Sequence, residues 1–226
     1  MLTAREIGDR LQQVRARIGD AVRLAGRQSE SVRLVLASKT QPPAAIAAAF
    51  TAGARDFGEN YVQEAISKRS ALGQRDLRWH LIGHLQTNKA RAAVETFNLI
   101  QTLDNQRLAA ALFRLHPSPP MPVLVEINLA GQTSKSGIEP QSAEALINAV
   151  RDQVDVQGLM AIPPVTDAAE AALPFFNELR KLRDRLAATT GLALSELSMG
   201  MTDDFVVAIL EGATIVRVGR AVFGER

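Results

Sequence analysis

The first residue with the makings of chemistry is Lys39. It closes the run Val35-Leu36-Ala37-Ser38, a stretch of buried-strand character. A lysine desolvated against an apolar interior holds its proton less tightly, and the neutral amine is the nucleophile that forms an imine with an aldehyde. A strand-end lysine can equally snorkel to water along its apolar stem, and on this segment alone the two readings stand level. Two later segments have the makings of an anion site: Ser198-Met199-Gly200-Met201-Thr202 and Gly219-Arg220. Ser198 offers a hydroxyl, Gly200 a close backbone approach, Thr202 a cap for the helix that follows, and Gly219 the opening of a second short turn. The competing reading is that the glycines serve tight turns only. Asp203 and Asp204 are expected to stabilise the helix N-terminus rather than bind metal.

Arg217 interrupts the apolar strand Thr214–Val218, on the same face as Ile215 and Gly219. A charge there needs a ligand or a partner such as Glu59. His80 and His84 are four apart, but Gly83 intervenes and the segment reads as strand then loop. A helical two-histidine metal site is therefore not expected, and His80 is assigned to hydrogen bonding within the rim. Lys135, in the segment 131–137, reads as a solvated loop lysine. The chain has five lysines against 21 arginines, so each lysine merits inspection.

These residues need a frame that brings them to one place. Residues 3–25 carry Ile7, Leu11, Val14, Ile18, Val22 and Ala25 at spacings of three and four, one apolar stripe of a helix. Thr3 with Glu6 has the capping-box pattern, and Gly26 is a stop. Short apolar runs then alternate with helical patterns. Strands are predicted at 32–38, 55–58, 77–82, 99–103, 123–128, 156–162, 194–198 and 214–218. Helices are predicted at 44–53, 61–72, 88–97, 106–116, 142–150, 168–188 and 203–211. Continuous apolar strands joined by helices indicate a parallel sheet. Eight such units in about 200 residues is the arithmetic of a single (β/α)₈ TIM barrel with an extra N-terminal helix at 1–26 packed on it. An open doubly wound sheet competes, but no glycine-rich dinucleotide fingerprint follows the first strand. One domain over 1–226 is expected. In a barrel the strand C-termini carry function, and those ends collect Lys39, Asn60, His80, Ser198 to Thr202, Arg217 and Gly219 on one rim.

Composition narrows the function classes. Of the 226 residues, 46% are apolar and 22% charged, the make-up of an ordinary globular chain. The absence of cysteine excludes disulfides, thiolate catalysis and cysteine-ligated metal. Charges arrive within the first ten residues and the longest apolar run, 44–50, falls far short of a membrane span, so a cytoplasmic protein is expected. The net charge is only +2, and residues 1–33 hold seven arginines against four acids while the rest is balanced at −1. One basic helix with few aromatics is not a nucleic-acid footprint.

Taken together the motifs resemble the pyridoxal phosphate homeostasis proteins, single-domain relatives of the alanine racemase barrel of fold-type III. The matching segments are 37–40 (ASKT), 57–64 (FGENYVQE), 79–89 (WHLIGHLQTNK), 134–137 (SKSG), 158–163 (GLMAIP), 197–204 (LSMGMTDD) and 216–224 (VRVGRAVFG). They run in order along nearly the whole chain. The resemblance implies pyridoxal 5′-phosphate (PLP) held as an aldimine on Lys39. It implies phosphate binding by Ser198, Gly200, Met201, Gly219 and Arg220, several through backbone amides. It sets Arg217 against the pyridine nitrogen, with Asn60 and His80 lining the pocket. An arginine keeps its proton, so the ring nitrogen facing it stays unprotonated and the ring is a poor electron sink. The chain ends just after the eighth strand, without the second domain of the racemases. The resemblance therefore implies a carrier that exchanges PLP with PLP-dependent apoenzymes rather than an enzyme; no metal is expected, and a monomer is expected, although the N-terminal stripe could pack on the barrel or on another chain. A weak amino-acid racemase and a Schiff-base sugar-phosphate aldolase are the alternatives.

Overall fold

In a computed structural model, the described residues are 2–73, 75–115, 119–131, 136–164 and 168–225. The Lys135 reading and residue 116, the end of a predicted helix, lie outside them. Eight parallel strands close into a barrel in sequence order: β1 Arg33–Ala37, β2 Asp56–Glu59, β3 Arg78–Leu81, β4 Leu99–Leu103, β5 Pro122–Glu126, β6 Asp155–Met160, β7 Glu196–Ser198 and β8 Ile215–Val218. Pairing of β1 with both β2 and β8 closes the ring and excludes the open doubly wound sheet.

Helix α1, Ala4–Leu24, precedes the barrel. Thr3 Oγ1 accepts the Glu6 N–H at 3.2 Å while Glu6 Oε2 accepts the Thr3 N–H at 2.7 Å, which completes the capping box read from the sequence. The stripe from Ile7 to Val22 is buried against α2 (Pro43–Thr51), α8 (Phe205–Leu210) and α9 (Arg220–Phe223). Two of its arginines, Arg15 and Arg17, serve the same contact, Arg17 lying over the Phe205 ring. Arg15 donates to the carbonyls of Ala52 (3.1 Å) and Gly53 (2.8 Å), just past the end of α2. Beyond α1, Arg27 donates to the carbonyls of Ile209 (3.2 Å) and Ala213 (2.8 Å), at the end of α8. Cations at helix C-termini complement orphan carbonyls and the negative end of the helix dipole. Part of the N-terminal basic excess is therefore structural.

The other helices are α3 Val62–Leu72, α4 Ala90–Thr96, α5 Gln106–Phe113, α6 Ala143–Val150 and α7 Leu173–Thr190. The helix predicted at 168–188 is split. Residues 169–172 form a 3₁₀ turn, and α7 begins at Leu173 with Pro174 in its first turn, where the missing N–H costs nothing. Most of the apolar core lies between the strands and the helical ring, with Phe57 and Trp79 at its centre. A second, smaller cluster of Val35, Leu99, Leu124, Met160 and Ile215 fills the inside of the barrel.

Candidate functional site

Strand alternation turns one residue in two toward the barrel axis. Beside the apolar cluster, polar inward positions join into one chain of hydrogen bonds that runs from the strand starts, at Arg78 and Asp56, to the strand ends, at Ser198 and Arg217. Arg78 grips Asp56 with two bonds, 2.8 and 2.7 Å. Asp56 Oδ1 lies 3.0 Å from His80 Nε2, and His80 Nδ1 lies 3.1 Å from Gln101 Nε2. Ser198 Oγ donates to Gln101 Oε1 at 2.6 Å and accepts from Arg217 Nη1 at 2.5 Å. Arg217 Nη2 ends the chain on the Ala161 carbonyl, 2.9 Å away. The donors and acceptors are mutually consistent in one tautomer only. The Asp56 carboxylate takes a proton donor from Nε2, so Nδ1 accepts from the Gln101 amide. Burial holds the His80 pKa below its ordinary value, against the pull of Asp56, so the ring is neutral. Burial also draws Arg217 down to about 10, opposed by Glu126 and Asp204, which leaves it a cation at neutral pH.

Asp56 makes this chain measurable. Burial alone would raise its pKa, but the bonds from His80 and Arg78 outweigh it and hold the group at about 2 instead of 3.8. A depressed carboxylate contributes stability that is present above the unfolded pKa and lost as pH falls through the folded one. The shift of roughly two units corresponds to about 2.5 kcal/mol. Wild type should therefore exceed Asp56→Asn in unfolding free energy by about that amount at pH 7. The gap should narrow below pH 4 and close near pH 2. A gap constant down to pH 2 would show that Asp56 is not held ionised by this chain.

A cavity of about 900 Å³ opens above the chain, at the strand C-termini. Lys39, Asn60, Met201, Arg217, Gly219 and Arg220 line it, together with Ile162, Asp203, Asp204 and Glu225. Six of the nine residues expected in a cofactor pocket thus converge there. His80 and Ser198 do not line it. Ser198 sits just beneath it and His80 lies deeper, toward the strand starts, 0% and 2% exposed; both reach the cavity through Arg217. Gly200 is also buried beside the cavity, at φ +89°.

Two local readings are corrected. Thr202 caps no helix, because α8 starts three residues later; Asp204 takes the cap position without a side-chain cap bond, and instead its Oδ1 accepts the Met201 N–H at 2.6 Å. Arg217 does not pair with Glu59. That carboxylate is buried among Ser38 Oγ (2.6 Å) and Lys68 Nζ (2.8 Å). Arg220 is held by Asp203 and, at 3.6 Å, by Glu225, so its charge is already matched. Sequence reasoning missed Asp56, Gln101 and Lys68. A signal existed for each: Gln101 and Asp56 are polar residues inside strands, and Lys68 falls on the Ala65–Leu72 buried face of α3.

The comparisons with known proteins agree with this frame. Residues 10–226 match the family model described as alanine racemase, N-terminal domain. A pyridoxal phosphate homeostasis protein of Pseudomonas aeruginosa is 43% identical, over 97% of this chain and 96% of that one. The chain belongs to this family. The pyridoxal phosphate homeostasis protein of Escherichia coli K12 is 40% identical, over 98% of this chain and 97% of its own length. Among solved structures, PipY of Synechococcus elongatus PCC7942 with PLP bound superposes with a TM-score of 0.85 at 38% identity, covering 96% of this chain and 100% of that one. Alanine racemase of Bartonella henselae shares the fold alone, with a TM-score of 0.75 at 12% identity, covering 99% of this chain and 60% of that one.

Proposed function

We propose that this protein holds PLP in the cavity at the barrel mouth and exchanges it with PLP-dependent apoenzymes in the cytoplasm, as a monomer. The observation that carries the reading is the placement of Lys39 and Arg217 on one cavity, at the C-terminal ends of β1 and β8. The donor set fits the group. An amine, a buried guanidinium, the Asn60 amide and the glycine opening of α9 match an aldehyde, a ring acceptor and a phosphate. Gly219 keeps the floor open, since a Cβ there would lie 3.1 Å from the Ala37 carbonyl oxygen. The printed names of the relatives, and the PLP in PipY, support the same assignment.

When bound, PLP supplies an aldehyde that condenses with a primary amine and releases water. Lys39 offers that amine from the end of β1. Gly219 and Arg220 would offer backbone N–H groups to the phosphate end, while the Met201 N–H is engaged by Asp204 and the Arg220 side chain by Asp203 and Glu225. Arg217 would face a ring acceptor as a donor that keeps its proton, which disfavours carbanion chemistry and suits storage. The chain from Arg78 to Ser198 fixes its orientation. The apolar face of α1 is consumed within the chain, which favours a monomer. Among the described residues no helix is long and apolar enough to cross a membrane.

The test is a visible spectrum of the protein mixed with PLP, before and after borohydride, followed by peptide mapping. A yellow band that collapses, with the pyridoxyl mass on the Lys39 peptide, is the expected result. A protein that stays colourless with excess PLP would overturn the reading. Cleavage of a sugar phosphate by such a colourless protein would select the aldolase.

A further inference from the structure

We infer that Glu64 and Lys68, on α3, are positioning residues for Lys39, clamping the peptide groups on both of its sides. The inference rests on the reading of Lys39 as the amine that takes PLP. On the N-terminal side, Lys68 Nζ donates to the Ser38 carbonyl at 2.8 Å, and the Ser38 N–H donates to the Gly58 carbonyl at 2.9 Å. On the C-terminal side, the Thr40 N–H donates to Glu64 Oε1 at 2.6 Å. The same Glu64 oxygen accepts from Lys68 Nζ at 2.6 Å, so one ion pair, a helical turn long, bridges the two peptides.

The bridge is anchored in the core. Lys68 is 5% exposed and Glu59 fully buried; Glu59 Oε1 accepts from Lys68 Nζ at 2.8 Å and from Ser38 Oγ at 2.6 Å. A lysine in such a place needs its donors satisfied, and all three bonds go to the carbonyl or to carboxylates around the Lys39 backbone. Thr40 adds a second, independent mark. Its φ is +67°, one of two positive values at non-glycine residues among those described. L residues avoid that region unless the surroundings impose it, and the Glu64 bond to the Thr40 N–H is the imposed contact. The turn after Lys39 is thereby set, and with it the point from which the amine enters the cavity. If Lys68 merely neutralised Glu59, nothing would require Glu64 to reach the Thr40 amide.

The experiment compares wild type, Glu64→Ala and Glu64→Gln with two probes. Pyridoxine 5′-phosphate, which lacks the aldehyde, reports on the pocket by calorimetry. PLP reports on Lys39 through the growth of the visible band after mixing. Glu64 is partly exposed and alanine favours helix, so the alanine variant folds. It should capture PLP about 10- to 100-fold more slowly, the scale for a reacting group displaced by an ångström or so. Its affinity for pyridoxine 5′-phosphate should match wild type. Glu64→Gln keeps an acceptor for the Thr40 N–H and should recover most of the rate. A wild-type rate in Glu64→Ala overturns the inference, as does a parallel loss with both probes, or no recovery in Glu64→Gln. Wild-type protein that binds pyridoxine 5′-phosphate but never captures PLP removes the reading of Lys39, and the positioning role with it.

Discussion

Lys39→Ala is expected to abolish covalent capture of PLP. The variant mixed with PLP should show no stable visible band, and borohydride should leave no pyridoxyl mass on any peptide. The argument is one of chemistry and place. Condensation with an aldehyde needs a primary amine that can shed its proton, and Lys39 is the described lysine lining the cavity. Lys68 is the nearest in the fold, but its ammonium is closed in by Glu59, Glu64 and the Ser38 carbonyl. Lys39→Arg should fail equally, because a guanidinium keeps the charge and is not a nucleophile. Both variants should still bind pyridoxine 5′-phosphate, since Arg217, Gly219 and the start of α9 are untouched. Both should lose PLP during gel filtration, where wild type retains it. A variant that keeps a reducible band, with the adduct on another lysine, would move the reactive amine elsewhere.

The barrel and its rim were legible because two independent patterns coincide. Apolar strands alternate with helical stripes, and chemistry-bearing residues recur at strand ends. Lys39, Arg217 and Gly219 follow from strand position alone, since an end residue of a barrel strand faces the mouth. What lay beyond reach were relations between elements. Arg217 and Glu59 look like natural partners in sequence, yet in space the arginine meets Ser198 and the Ala161 carbonyl. Asp56, His80, Gln101 and Ser198 come from four strands, and only the closure of the sheet brings them into one hydrogen-bonded chain. Thr202 followed a hydroxyl-then-helix pattern, but the chain spends three more residues turning before α8 begins. Propensity places elements to within a turn; it does not say which side chains will meet.

Gly200→Ala is expected to cost about 3 kcal/mol of stability, the sum of two separate penalties. The first is backbone strain. Gly200 sits at φ +89°, a region that residues bearing a Cβ adopt only at a cost. The second is packing. A Cβ at this position would lie 2.5 Å from the Ala208 Cβ and 3.0 Å from the Phe205 Cα, against the body of α8. Neither neighbour can rotate away, because one is a methyl on a helix and the other is backbone. The helix itself is fixed behind, with Phe205 under the Arg17 guanidinium at 4.6 Å. Relief must come from the loop, which carries Met201 to the cavity and whose Gly200 carbonyl accepts the Arg217 N–H at 3.0 Å. For a chain of this length the melting temperature should fall by about 9 °C. Binding of pyridoxine 5′-phosphate should weaken as well, because the displaced loop carries Met201 in the cavity wall. Gly219→Ala provides the contrast: its φ is −118° and its Cβ would approach the Ala37 carbonyl oxygen no closer than 3.1 Å. That variant should hold its melting temperature more nearly and lose binding instead. Equal melting temperatures for wild type and Gly200→Ala would show that the loop accommodates the methyl, and that this glycine serves the ligand alone.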